Sequence, residues 1–193
     1  MRYYKVMFDD KNGNENQMIC FSEDDFEKIY GVKKNDIYKG IRLENWSEHV
    51  TLFFDSLEGN ELTDFIANSL GWHIISKRFK EILVNLNVNN VQLLPIILKE
   101  KSTGVTINDY SVVNIIGLLD ALDMENSKYN IFEARGKKML SVIKYALKGD
   151  MLKNLHIIRL KESKFATFVS EILRKELSKN SISGCDFLEV KVV

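Results

Sequence analysis

The stretch from Leu62 to Leu98 constrains this chain more than any other, because it holds a fully punctuated helix followed by the only proline of the sequence. Ser76 can cap a helix, since its hydroxyl can accept one of the backbone N–H groups left unpaired at a helix start. Phe79, Ile82, Leu83 and Leu86 then recur at helical spacing as one apolar stripe, with Lys77, Arg78, Lys80 and Glu81 on the other face. Asn85, Asn87, Asn89 and Asn90 end it, because asparagine competes for its own backbone and tolerates turns. The spacing predicts a first main helix over about 77–86. Val91 to Leu98 is dense in β-branched and aliphatic residues, which suits a strand buried on both faces. Pro95 cannot donate to a ladder, so an edge position or a bulge is expected there.

Elsewhere the signals are shorter. Tyr3 to Phe8 reads as a strand, Asp9 to Asn16 as a turn, and Gln17 to Phe21 as the returning arm of a hairpin. Ser22 with Asp25 resembles a capping box, Phe21 and Phe26 a hydrophobic staple, and Gly31 a helix stop, so a short N-terminal helix is expected. Ile37 to Trp46 and Val50 to Phe54 read as strand-like, and Leu62 to Leu70 as one or two helical turns. Beyond Leu98, Lys99 to Asn108 suits a hairpin connection leading to an antiparallel return over Tyr110 to Leu119. Tyr129 to Ala134 reads as a strand, followed by a basic turn at Arg135, Gly136, Lys137 and Lys138. Met139 to Leu147 fits helix or strand. Leu155 to Leu160 and Phe187 to Val193 read as strands. Phe165, Phe168, Val169, Ile172, Leu173 and Leu177 share one helical side, predicting a second main helix over about 165–178.

These elements describe an α+β fold: a mostly antiparallel sheet with two main helices (about 77–86 and 165–178) packed on it, plus a short N-terminal helix. No internal repeat is visible. Residues 1–42 form a hairpin and short helix, expected as a layer of the same domain as residues 43–193.

Charge bounds the function. Lys+Arg and Asp+Glu both number 27, which argues against nucleic acid as a partner, because such binders carry a basic excess. No apolar run approaches the roughly 18 residues of a membrane helix, and the start is no signal peptide, so a cytoplasmic protein without a membrane partner is expected. No glycine-rich phosphate loop occurs. His49, His73 and His156 lie in no metal-ligand spacing, and neither do Cys20 and Cys185. Asp9, Asp10, Asn12 and Asn14 lack the closing glutamate of a calcium loop. No GxSxG occurs, and Cys185 reads as a small buried hydrophobe. Asp24–Asp25 and Glu61–Asp64 are explained as solvated helix starts. No catalytic residue, cofactor or metal is expected, and the chain reads as a binding protein rather than an enzyme.

One succession of segments carries a resemblance. Trp46, Asp64–Phe65, Ile74–Ser76, NVQLLPI (90–96) and YSVVNI (110–115) come first. LDMENSKY (122–129), HIIRL (156–160), FVSEILRKEL (168–177) and SGCDFLEV (183–190) follow in order. This order resembles the eleventh family of immunity proteins from bacterial polymorphic toxin systems, over residues of about 43–193. The resemblance implies a cytoplasmic antidote, encoded beside its toxin, that binds and neutralises it, and it carries over no catalytic residue.

For such a protein the candidate toxin-binding residues are Trp46, Trp72 and Arg78 on the basic face of the first main helix, with Asp64, which helix capping also explains. The alternative is a small enzyme or ligand-binding protein with a pocket between helix and sheet.

Overall fold

The computed structural model describes residues 1–9, 16–23, 25–134 and 136–193. The expected turn and calcium-like set at 10–15, Asp24 of the acidic pair, and Arg135 of the basic turn lie outside the described residues. The first part of the chain gives β1 (Tyr3–Phe8), β2 (Ile19–Cys20), α1 (Phe26–Tyr30), β3 (Thr51–Phe54), β4 (Phe65–Asn68) and β5 (Ile74–Ser76). Next come α2 (Lys77–Asn85), β6 (Val91–Glu100), β7 (Thr106–Ile115), β8 (Lys128–Ala134), β9 (Lys137–Lys144) and β10 (Ala146–Leu147). The chain ends with β11 (Ile157–Arg159), β12 (Thr167–Ser170), α3 (Glu171–Lys179) and β13 (Cys185–Val192).

The α+β expectation is overturned: 41% of the chain is strand and 16% helix, and the sheets are curled rather than laid flat under helices. The physical reason is burial on both faces of short strands. Neighbouring residues enter different cores: Ile74, Val112 and Ile66 one, and Ile75, Val113 and Phe65 the next. Likewise Val169 and Ile157 enter the second core, and Phe168 and Ile158 a third. A strand apolar on both sides has no period-two signature, so its residues are easily counted into a helix. That is why the second main helix begins at Glu171 and not near 165, with Phe168 and Val169 in β12. It is also why Leu62 to Leu70 holds the strand β4 instead of helical turns.

One sheet has the order β2-β4-β5-β7-β6-β3, and its outer members are joined by Phe21 and Phe53, whose backbones exchange two 2.8 Å hydrogen bonds. The sheet therefore curls into a near-barrel around Leu52, Ile66, Trp72, Ile74, Ile96, Val112 and their neighbours. The other sheet has the order β10-β13-β1-β12-β11. Its outer members are both bridged by one segment, through Leu119 to Leu160 and Leu122 to Leu147. The helices α2 and α3 share the core between the two sheets through Phe79, Ile82, Leu83, Leu173 and Leu177.

Five strands of each sheet follow one plan, a repeat of structure without a repeat of sequence. The neighbours β4-β5-β7-β6-β3 correspond to β11-β12-β1-β13-β10, and in both β3 and β10 are parallel to their partners. Within each copy a strand ends at a capping serine, a nine-residue helix follows, and the turn behind it closes in the same way. Val88 N–H donates to Leu83 and Ile182 N–H to Leu177, both at 3.0 Å, while Asn87 and Ser181 both adopt φ 52°. The N-terminal strand completes the second copy, between β13 and β12.

Other local expectations shift with this plan. Among the described residues β2 pairs with β4, and β1 with β12 and β13, in place of the expected N-terminal hairpin. The short helix opens at Phe26 without a side-chain cap, and the strand expected over Ile37 to Trp46 is a 3-10 turn at Asp36–Tyr38 followed by irregular chain. Met139 to Leu147 is strand, divided between β9 and β10. Pro95 lies in the half of β6 that β3 does not reach, and the β6–β7 register slips just beyond it, between Ile96 and Leu98. The missing N–H therefore costs no ladder bond to β3.

Candidate functional site

The four expected site residues form two pairs, each with one accessible and one buried member. Trp46 lies on the irregular chain that covers the free half of β6, where its indole N–H donates to the Pro95 carbonyl at 2.8 Å. Its ring packs on Trp72, 5.8 Å between centroids. Trp72 is wholly enclosed in the first core, donates to the Lys34 carbonyl at 2.9 Å and meets Phe26 edge-on. Trp72 thus has no surface for a partner, which corrects its place among contact residues: its ring fills the near-barrel and seats Trp46.

Asp64 and Arg78 form the second pair. Asp64 is buried just before β4, accepts from the Ser76 hydroxyl at 2.6 Å, and pairs with Arg78 at 3.1 Å. The same carboxylate accepts from the Ser183 N–H at 3.2 Å and hydroxyl at 3.3 Å, so it ties the first copy to the turn leading into β13. Arg78 also donates to the Asn180 carbonyl at 2.6 Å while its side chain remains 60% exposed. A buried carboxylate with this many donors is satisfied where it stands, and the outward face of the guanidinium remains available.

Sequence patterns did not single out the buried Arg159 in β11 or assign His73 a role. Arg159 donates to the Ile37 carbonyl at 2.7 Å and lies over the Tyr38 ring at 4.9 Å, and burial lowers its pKa to about 10. His73 is enclosed against Phe65, and burial first, then Arg159, holds its pKa at about 3, so its ring is neutral. Burial pushes the thiols of Cys20 and Cys185 up to about 12, which keeps both protonated and poorly nucleophilic.

A cleft of about 550 Å³ lies between α2 and the β6–β7 ladder, lined by Lys77, Lys80, Glu81, Val84, Asp109 and Tyr110 among others. The Tyr110 hydroxyl is committed to the Thr63 carbonyl at 2.7 Å. Among the described residues no three His, Cys, Asp or Glu side chains are grouped to hold a metal, and no helix is long and apolar enough to cross a membrane.

No curated protein matches the chain. A family model does, that of the immunity protein family Imm11, and it covers residues 2–192, taking in residues 2–42, which the segment-by-segment resemblance left aside. A match over nearly the whole length shows the family, and the chain belongs to the immunity protein family Imm11.

Proposed function

We propose that this protein is a cytoplasmic antidote of a polymorphic toxin system, which binds the toxin encoded beside it and blocks its action. The observation that carries the reading is the family match over residues 2–192. The mechanism is occlusion: a rigid surface covers the active site of the toxin or prevents its closure, with aromatic anchors and paired charges supplying most of the energy. Trp46 and Arg78 are the contact residues of this reading, with Asp64 holding Arg78 in place and Trp72 supporting Trp46 from inside. Residues 1–42 act with the rest as one unit, a reading supported by the pairing of β1 with both β12 and β13.

Co-expression with the C-terminal domain of the toxin-like protein encoded immediately upstream tests this. Restored growth together with a complex that co-purifies is the expected result. Growth that does not depend on this protein, or no complex, overturns it.

A further inference from the structure

The ribbon of β8 and β9 is not needed by the repeated plan. It occupies, in the second copy, the interval that the first copy fills with α1 and the chain bearing Trp46. The two insertions are treated differently by the fold. The first is folded onto its near-barrel, with Phe26, Ile37 and Tyr38 in the core. In the second, among the described residues, neither β8 nor β9 pairs with any other strand.

One face of the ribbon is anchored, through Leu140 and Val142 against the third core. Register places Phe132 opposite Met139 and Asn130 opposite Ser141 on the other face, and Ile143 follows on the same side. Phe132, Met139 and Ile143 are 47%, 48% and 56% exposed. At the foot of the ribbon a groove of about 310 Å³ continues this surface, lined by Ile143, Leu188, Lys5, Lys144 and Lys191 with one carboxylate, Glu189, among others. Leu188 there is 54% exposed.

Charge says what such a surface fits. Over 128–144 the sequence has Lys128, Arg135, Lys137, Lys138 and Lys144 against Glu133 alone, within a chain of zero net charge. Among the described residues Lys128, Lys138 and Lys144 form no ion pair. Lys128 and Lys144 stand opposite each other at the foot of the stripe, whereas Lys138 stands opposite Glu133 on the Leu140 face. An apolar stripe ending in cations is complementary to an apolar patch bordered by carboxylates. Nucleic acid is less well matched, because Phe132, Met139 and Ile143 form an aliphatic-rich stripe with one aromatic ring rather than a series of stacking platforms.

We propose that the β8–β9 ribbon and the groove at its foot dock an acidic, apolar-centred face of the toxin domain. This rests on the antidote reading and adds a second contact surface to it.

The test is the affinity of the purified upstream-encoded toxin domain for three proteins: wild type, the triple variant K128E/K138E/K144E, and the double variant F132S/M139S. Melting curves accompany each, and because all five side chains lie outside the cores, the variants are expected to melt with the wild type. Each variant is expected to bind about tenfold or more weakly. Raising salt from about 50 to about 300 mM is expected to weaken the wild type more than the triple variant. Wild-type binding within twofold in both variants overturns the ribbon proposal and leaves the antidote reading intact. No binding by the wild type overturns both. Variants that lose only affinity for a 20-mer RNA, or only self-association, also overturn it, assigning the ribbon to nucleic acid or to a second copy.

Discussion

Ser76 and Ser170, 94 positions apart in the sequence, occupy equivalent places at the end of a doubly buried strand. Each hydroxyl accepts the N–H three residues on, from Phe79 at 3.3 Å and from Leu173 at 3.2 Å. Each is also held by a side chain on the adjacent strand segment: Ser76 by Asp64 at 2.6 Å, and Ser170 by His156 at 2.8 Å. The repeat therefore reproduces a role while changing the chemistry of the group that supports it.

Replacing either serine by alanine removes a helix cap and leaves a side chain without its partner, the buried Asp64 in one case and the half-buried His156 in the other. Ser76→Ala and Ser170→Ala are each expected to cost about 1–2 kcal/mol in urea unfolding. Ser76→Ala is the more costly of the two, because Asp64 is a buried carboxylate that loses its 2.6 Å donor.

Gly184 is the backbone analogue of Asn90, and each faces a carbonyl of the other copy. Asn90 donates to Ile157 at 2.9 Å, whereas a Cβ on Gly184 would lie 2.3 Å from the Phe65 oxygen, at φ +84°. Gly184→Ala is expected to destabilise by more than about 2 kcal/mol. Asn90→Ala, which loses one hydrogen bond, should cost about 1 kcal/mol. Equal losses in thermal or denaturant unfolding contradict this.

His73 makes stability depend on pH. Its folded pKa of about 3 lies below the ordinary value of 6.5, so the unfolded chain binds this proton more readily. Stability is therefore unaffected by this group above pH 6.5 and falls as pH drops from 6.5 towards 3, by about 1.4 kcal/mol per unit from this group. Unfolding free energies of the wild type and His73→Gln, measured between pH 7 and 4, should converge as pH falls. A constant difference contradicts a neutral buried ring.

The tryptophan pair separates binding from support. Trp46→Ala is expected to weaken toxin binding by about 2 kcal/mol, the size of an aromatic anchor. Trp72→Ala is expected to cost about 3–5 kcal/mol of folding stability, because the side chain is fully enclosed. Calorimetric titration of each variant with the toxin domain, alongside its melting curve, distinguishes the two roles. Arg78→Ala should follow Trp46, with a smaller loss because the Arg78 side chain is 60% exposed and its charge is well solvated.

What was legible in the sequence follows from how each signal is generated. The cap at Ser76 and the stripe after it depend only on near neighbours, and α2 lies close to where they put it. Pro95 was informative because the lack of an N–H cannot be compensated elsewhere in the chain. Phe168 and Val169 misled because two-sided burial erases alternation, and the same effect turned a mostly β protein into an apparent α+β one. The repeat was hidden because burial, and not identity, is what matches between 74–91 and 168–185. Arg78 stands opposite Ile172, Ile82 opposite Glu176, and only the serines and Leu83 with Leu177 agree. At the candidate site, Trp46 and Arg78 stood out as side chains, but neither sequence nor spacing could reveal which of the four lay underneath. The ribbon stripe was hidden by the same loss of alternation, because Phe132, Met139 and Ile143 each stand beside another apolar residue, Ile131, Leu140 and Val142, and only the basic run next to them is plain.

The place of β1 has a consequence for how the chain comes into being. Every strand of the first near-barrel lies between residues 17 and 115, so a nascent chain can close it while translation continues. The second needs Tyr3 beside Val190, and so its first-made strand waits until its last-made one emerges. Pairing over such a separation is entropically slow. The assembled first half, offering its side of the shared core, is the template on which the two ends of the chain finally meet.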